Sequence, residues 1–202
     1  MVHGTYPAFV RLHAAEDEMG MRNEAVGYGS VAKLLHWTAA ACVVAAWLLG
    51  TFIDDLPKAW WSTVLFAHMT LGLSVAALLL CRLGWRAANA SPPFVTTAFE
   101  PWAGYAARTG HIALYLLLLA VPVAGIVLEF ARGQTLPLFG IFQIASPWVR
   151  DQAFARSAKG VHELLADILL ILAAGHVAAA LVHHYVLRDA TLRRMLPGLL
   201  GR

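Results

Sequence analysis

At 202 residues the chain could hold one domain with a good core, but 59% hydrophobic residues, 13% charged residues and a mean hydropathy of +0.64 exclude an ordinary soluble globule. The formal charge of +3 comes with no basic stretch interleaved with aromatics, which excludes nucleic acid as a partner. The composition is that of an integral membrane protein solvated by lipid.

The first 29 residues carry Glu16, Asp17, Glu18 and Glu24 and no apolar run of signal-peptide character, which predicts a cytoplasmic N-terminal arm. Met19 and Met21 lie just before the apolar region, so an internal start that dispenses with the arm is an open alternative. Four apolar stretches follow, 31–52, 62–83, 108–129 and 160–187, each near the roughly 20 residues needed to cross a hydrocarbon core of about 30 Å. The expected fold is all-α, an integral membrane four-helix bundle over residues 30–197 with a short cytoplasmic tail at 198–202. Four spans put both termini on one side. Arg11, Arg22, Lys33, Arg82, Arg86, Arg108, Arg188, Arg193, Arg194 and Arg202 fall on that side, against Lys58, Arg132, Arg150, Arg156 and Lys159 on the other. The positive-inside bias therefore predicts cytoplasmic termini.

Between the first two spans, Asp54, Asp55 and Pro57 precede Trp60 and Trp61, a pair suited to the headgroup layer. Pro92 and Pro93 break the loop after the second span, and Pro122 and Gly125 sit inside the third. Residues 130–159, broken by Pro137, Gly140 and Pro147, predict an interfacial element covering the outer face of the bundle. Cys42 and Cys81 read as small apolar fillers, and no C-x-x-C-H occurs, so a bound haem is expected to be b-type.

Ionisable side chains are expensive in hydrocarbon, which makes the histidines of the spans informative. His162 and His176 are 14 residues apart on the last span, hence roughly 40° apart around the helix and about 21 Å apart along it. His36 on the first span matches the depth of His176, and His68 on the second lies within one or two turns of His162. Two cross-helix pairs near opposite faces are the arrangement that bis-imidazole ligation of two haems requires. Depth alone leaves His111 open as a partner of His176. Gly72, Gly50, Gly110 and Gly175 are candidates for relieving crowding against a flat macrocycle.

The blander readings divide unevenly. A lone histidine at a helix end usually hydrogen-bonds at the interface, and His111, His183 and His184 allow that reading as well as a functional one. A structural zinc site needs four converging ligands, whereas these histidines come as two separated pairs. His3 and His13 read as solvent groups, Glu163 as a hydrated interface group, and Asp167 as either an internal hydrogen-bonder or a proton carrier.

The motifs KLLHW (33–37), AHMTLG (67–72), GHIALY (110–115) with VPVAG (121–125), VHELLAD (161–167) and AALVHHYVLRDATLRRMLP (179–197) resemble the bacterial di-haem cytochrome b561 family, in order, from about residue 30 to 197. The resemblance implies that His36 and His176 ligate the cytoplasmic-side haem iron and His68 and His162 the periplasmic-side haem iron. The tail and the Arg132, Gly133, Phe139 and Gly140 pattern look most similar to superoxide oxidases within that family. They imply an oxidoreductase with two haem b groups that passes electrons from periplasmic superoxide to ubiquinone. Asp167 stands where that relative would carry Asn.

On charge grounds, Arg150, Arg156 and Lys159 are candidates for steering the superoxide anion, or else ordinary interface charges and propionate partners. The quinone is expected near His183 and Trp37 on the cytoplasmic side. The alternative function is a haem b membrane subunit relaying electrons from a dehydrogenase or hydrogenase to quinone. Lipid, quinone and superoxide are the expected partners, with a homo-oligomer or a redox partner subunit as further alternatives.

Overall fold

The computed structural model describes residues 22, 27–93 and 102–196. The reading of the N-terminal arm, the internal start and the last few residues lies outside the described residues.

Four long helices account for most of that chain. Helix α1 (Ser30–Phe52) leads through short 3-10 turns at Ile53–Asp55 and Lys58–Trp60 into α2 (Trp61–Ala88). Helix α3 (Trp102–Ala131) is followed by a hairpin of β1 (Leu136–Leu138) and β2 (Phe142–Ile144), and α4 (Gln152–Tyr185) closes the bundle. All four helices are long and apolar enough to cross a membrane. Even α1, with 23 residues, spans about 35 Å at 1.5 Å per residue.

The packing is that of a protein dissolved in lipid. Large apolar side chains such as Leu34, Leu80, Leu116 and Ile171 face outward, while small residues mediate helix contact. On α1 the buried positions are Ala32, Ala39 and Ala46, a seven-residue repeat that forms one narrow seam. Small residues let backbones approach closely, which supplies the van der Waals contact that drives association in lipid. The seam packs α1 on α2, α4 packs on α3, and α2 joins α3 across the middle.

One end of the bundle carries both described termini and the other carries the hairpin. At the hairpin end Leu128 and Ala131 of α3 pack on Ala155 and Ala158 of α4, and β1 lies across α2 and α3. The strands pair antiparallel with Leu136 opposite Ile144 and Leu138 opposite Phe142. Phe139 and Gly140 both have positive φ, and Ile141 N–H donates to the Leu138 carbonyl (3.0 Å), the signature of a type I′ turn. The segment expected to be an irregular interfacial cover thus contains two short strands beyond the all-α reading.

The helices run past the apolar stretches at several ends: α2 continues to Ala88, α3 begins at Trp102, and the largest difference is in α4. The last helix begins at Gln152 rather than near residue 160, because Asp151 caps it: its carboxylate accepts from Ala153 N–H (2.9 Å) and Phe154 N–H (3.0 Å). His162 therefore lies about 15 Å along α4 rather than at its start. At the terminal end, Arg188 with φ of 55° turns the chain back under the bundle. That tail is tied to α1 by Trp37 Nε1–H donating to the Met195 carbonyl (2.9 Å), and to the segment after α2 by Arg194 donating to the Pro93 carbonyl (2.8 Å).

Candidate functional site

The spans bring four histidines together as two pairs. His68 on α2 and His162 on α4 have ring centres 6.0 Å apart with planes at 82°. His36 on α1 and His176 on α4 have ring centres 6.2 Å apart with planes at 79°. Two imidazoles on opposite faces of one iron, each bonded at about 2 Å, hold their ring centres roughly 6 Å apart whatever the twist about the axis. Both pairs meet that spacing. His111 on α3 is closer to His176, at 5.4 Å, which is short for a pair with an iron between them.

The rings of His68 and His162, the pair towards the hairpin end and here called the outer pair, are oriented by a device that occurs twice; His36 and His176, towards the terminal end, form the inner pair. His68 Nδ1–H donates to the Ala46 carbonyl of α1 (2.8 Å), and His162 Nδ1–H donates to the Val121 carbonyl of α3 (3.0 Å). Four residues after each carbonyl stands a glycine. A Cβ on Gly50 would lie 2.9 Å from His68 Cε1, and a Cβ on Gly125 would lie 3.1 Å from His162 Cε1. Each histidine thus presses its Nδ1 edge into a glycine notch of the neighbouring helix. Fixing the proton on Nδ1 leaves the Nε2 lone pair available to ligate a metal.

Between these rings lies a partly open cleft lined by His68, His162, Ala46, Gly72, Val75 and Pro122, among other apolar residues. Its apolar walls, with an imidazole on either side, suit a flat apolar ligand that histidine can hold. Of the four glycines expected to relieve crowding, only Gly72 lines this cleft. Gly50 instead accommodates the His68 ring, and a Cβ at Gly110 or Gly175 would meet nothing within 4 Å. Gly125, read only as a helix irregularity, is the missed partner. The shared spacing of Ala46–Gly50 and Val121–Gly125 was its only trace in the sequence.

The inner pair is built differently. Arg82 near the end of α2 donates from Nη1 to His36 Nδ1 (2.9 Å), and its guanidinium lies over the Tyr115 ring at 5.7 Å. Trp37 meets His36 edge-on at 5.4 Å while its indole holds the tail, so it bridges His36 and the terminal cap. His183 Nδ1–H donates to the Asp189 carboxylate (2.6 Å), whose other oxygen accepts from Thr191 N–H (2.8 Å). His184 stacks edge-on against Tyr185, with its Nδ1 buried and unpartnered.

The chain belongs to the prokaryotic cytochrome b561 family. A family model described as prokaryotic cytochrome b561 matches residues 27–198. The chain is 32% identical over 180 residues to Cytochrome b561 homolog 2 of Escherichia coli, covering 88% of this chain and 95% of that one. It is 31% identical over 165 residues to the Probable superoxide oxidase CybB of Yersinia pestis, covering 81% and 92%. It is 31% identical over 176 residues to Cytochrome b562 of Cereibacter sphaeroides, covering 84% and 95%. Membership makes this a membrane electron-transfer protein of a haem b-binding family, and the chemistry of the two imidazole pairs fits that group.

The remaining candidates of this cytochrome b561 fall outside the cleft. Arg150 and Arg156 are exposed at the hairpin end, Arg156 on the first turns of α4 rather than in a loop. Lys159 pairs with Glu163 at 3.2 Å, and both side chains stay largely exposed, in keeping with Glu163 as a hydrated interface group. Glu129, 7% exposed, pairs with Arg132 at 3.6 Å beneath the hairpin. Asp167 is exposed on α4 and makes no hydrogen bond or ion pair among the described residues.

Proposed function

We propose that this protein is a di-haem b oxidoreductase of the bacterial inner membrane, with cytoplasmic termini, that oxidises periplasmic superoxide and reduces ubiquinone. The observation that carries the reading is the pair of imidazole pairs, both at ligating distance and at opposite ends of one bundle. The similarity to a relative named a probable superoxide oxidase supports the choice of donor.

In this reading His68 and His162 hold the haem at the hairpin end, and His36 and His176 the one at the terminal end. Bound haem b supplies one-electron transfer. Two superoxide anions each give up one electron and leave as dioxygen. Those two electrons, with two protons from the cytoplasmic side, convert one ubiquinone to ubiquinol. The protein's own contribution is to hold each ligand ring, exclude water with apolar helix faces, and bring charge and protons to the ends. Arg150 and Arg156 face the solvent where a small anion arrives, and a positive surface raises its encounter rate. Lys159 adds less, because Glu163 offsets it. At the other end, the Asp189 contact fixes His183 with Nδ1 as donor, leaving Nε2 to meet a quinone oxygen, and the exposed Trp37 ring offers a packing surface.

The deciding experiment uses haem-loaded protein in detergent. Enzymatically generated superoxide should reduce the haems and then a soluble quinone, a sequence that superoxide dismutase abolishes. Neutralising Arg150, Arg156 and Lys159 together should make the reaction slower and less sensitive to salt. Haem-loaded protein that superoxide cannot reduce points to the second reading, a haem b subunit that relays electrons from a partner dehydrogenase or hydrogenase. The exposed apolar side chains of Phe142, Ile144 and Val149 at the hairpin end favour that alternative, since a soluble partner needs such a surface. Co-purification of a stoichiometric partner would establish it.

A further inference from the structure

The two imidazole pairs sit in different electrostatic surroundings. Both outer rings donate Nδ1–H to backbone carbonyls, which makes them more electron-rich ligands. An electron-rich axial ligand stabilises the oxidised iron and lowers its potential. Arg132 and Lys159, the cations nearest this pair in sequence, each have a carboxylate partner, Glu129 and Glu163.

Nothing comparable happens at the inner pair. Neither His36 nor His176 donates to a carbonyl among the described contacts. Arg82 stands against His36, and it has no carboxylate partner among the described residues. Iron on His36 Nε2 would place the ring proton on Nδ1 and end the hydrogen bond from Arg82. The guanidinium nevertheless remains tethered to α2 beside Tyr115, so its charge stays close to the inner pair. Arginine is charged at any working pH, and a positive charge in a poorly screened interior favours the form of the iron that carries one more electron.

We propose that Arg82 orders the two haem potentials, holding the haem of His36 and His176 above that of His68 and His162. Electrons entering at the hairpin end then move towards the terminal end. One electron leaves the outer iron, which is oxidised, and arrives on the inner iron, which is reduced, with no further reactant. The inference rests on the two-haem reading given above and assigns a tuning role to Arg82, otherwise one of the charges of the positive-inside bias.

Spectroelectrochemical titration of the purified full-length haem protein tests it. Wild-type protein should show two one-electron steps, and His162→Ala, which removes an outer ligand, should keep only the higher one. Arg82→Gln and Arg82→Met should lower the inner potential enough to change the equilibrium between the haems at least tenfold, about 59 mV for one electron. Arg82→Lys should preserve the order. A His162→Ala protein that retains the lower step overturns the proposal. So does an inner potential unmoved in Arg82→Gln, or loss of the inner haem from both neutral variants, which would make Arg82 a structural prop. Wild-type protein with a single haem would instead remove the two-haem reading.

Discussion

At the scale of single residues, the histidines were legible because imidazole in a long apolar run is costly and must have a purpose. What orients them was not, since each partner is contributed by a different helix and only packing brings it near. Gly50 and Gly125 illustrate this: in the sequence they look like other helix glycines, yet each leaves room for a ring edge. Replacing either with alanine inserts a Cβ into His68 or His162, so that ring must rotate or retreat. Gly50→Ala and Gly125→Ala are therefore expected to lose most of the outer haem while keeping the inner one, with the larger loss at Gly50, where the clearance is smaller. Gly160→Ala is the control. Its Cβ would meet nothing within 4 Å, and removing a glycine from a helix interior stabilises by about 0.5–1 kcal/mol. Haem-to-protein ratios and reduced-minus-oxidised spectra of the three proteins decide the matter; an intact outer haem in Gly50→Ala would show that ring clearance is not limiting.

At the scale of elements, four spans could be read directly from hydropathy, but the ends could not. The start of α4 was placed late because Arg156, Ser157 and Lys159 interrupt the apolar run, although they lie comfortably on the exposed face of a helix. The signal that mattered was Asp151, whose side chain accepts from two otherwise unpaired N–H groups. Those first turns also carry Ala155 and Ala158 into the contact with α3, so the cap supports the packing beneath the hairpin. Asp151→Ala is expected to cost about 0.5–2 kcal/mol, and Asp151→Ser, which can still cap, much less. Thermal unfolding in detergent measures the difference, and equal melting of Asp151→Ala and the wild type would dismiss the cap as a stabilising feature. The hairpin was missed for a different reason. Three-residue strands have too little periodicity to register, and the I′ turn places Phe139 at a positive φ that its identity does not announce.

At the scale of the molecule, the bundle consists of two helix pairs, each carrying the same carbonyl and glycine notch for a histidine of its second helix. The terminal end lacks that repetition and is held by the tail, which ties the start of α1 to the segment after α2. Asp189 is the hinge of this cap. Partial burial pushes its carboxyl up, but hydrogen bonds from Thr191 and His183 outweigh that and hold it below the ordinary value of 3.8. A carboxylate whose pKa is lowered on folding contributes stability that is fully present above its unfolded value and is lost as pH falls through the lower folded value. The cap should therefore stay closed at neutral and mildly acid pH and open only below 3.8. The Thr191 amide, which donates to Asp189 at 2.8 Å, reports this directly through hydrogen exchange. Its protection relative to the intrinsic rate should hold constant down to that range and then fall, whereas Asp189→Asn should be less protected at neutral pH and show no such step. Because Trp37 joins this cap to His36, loosening the tail should also disturb the spectrum of a haem held there before that of one held at the hairpin end. A simultaneous change at both haems would mean that acid unfolds the bundle as a whole and that the tail is no separate unit.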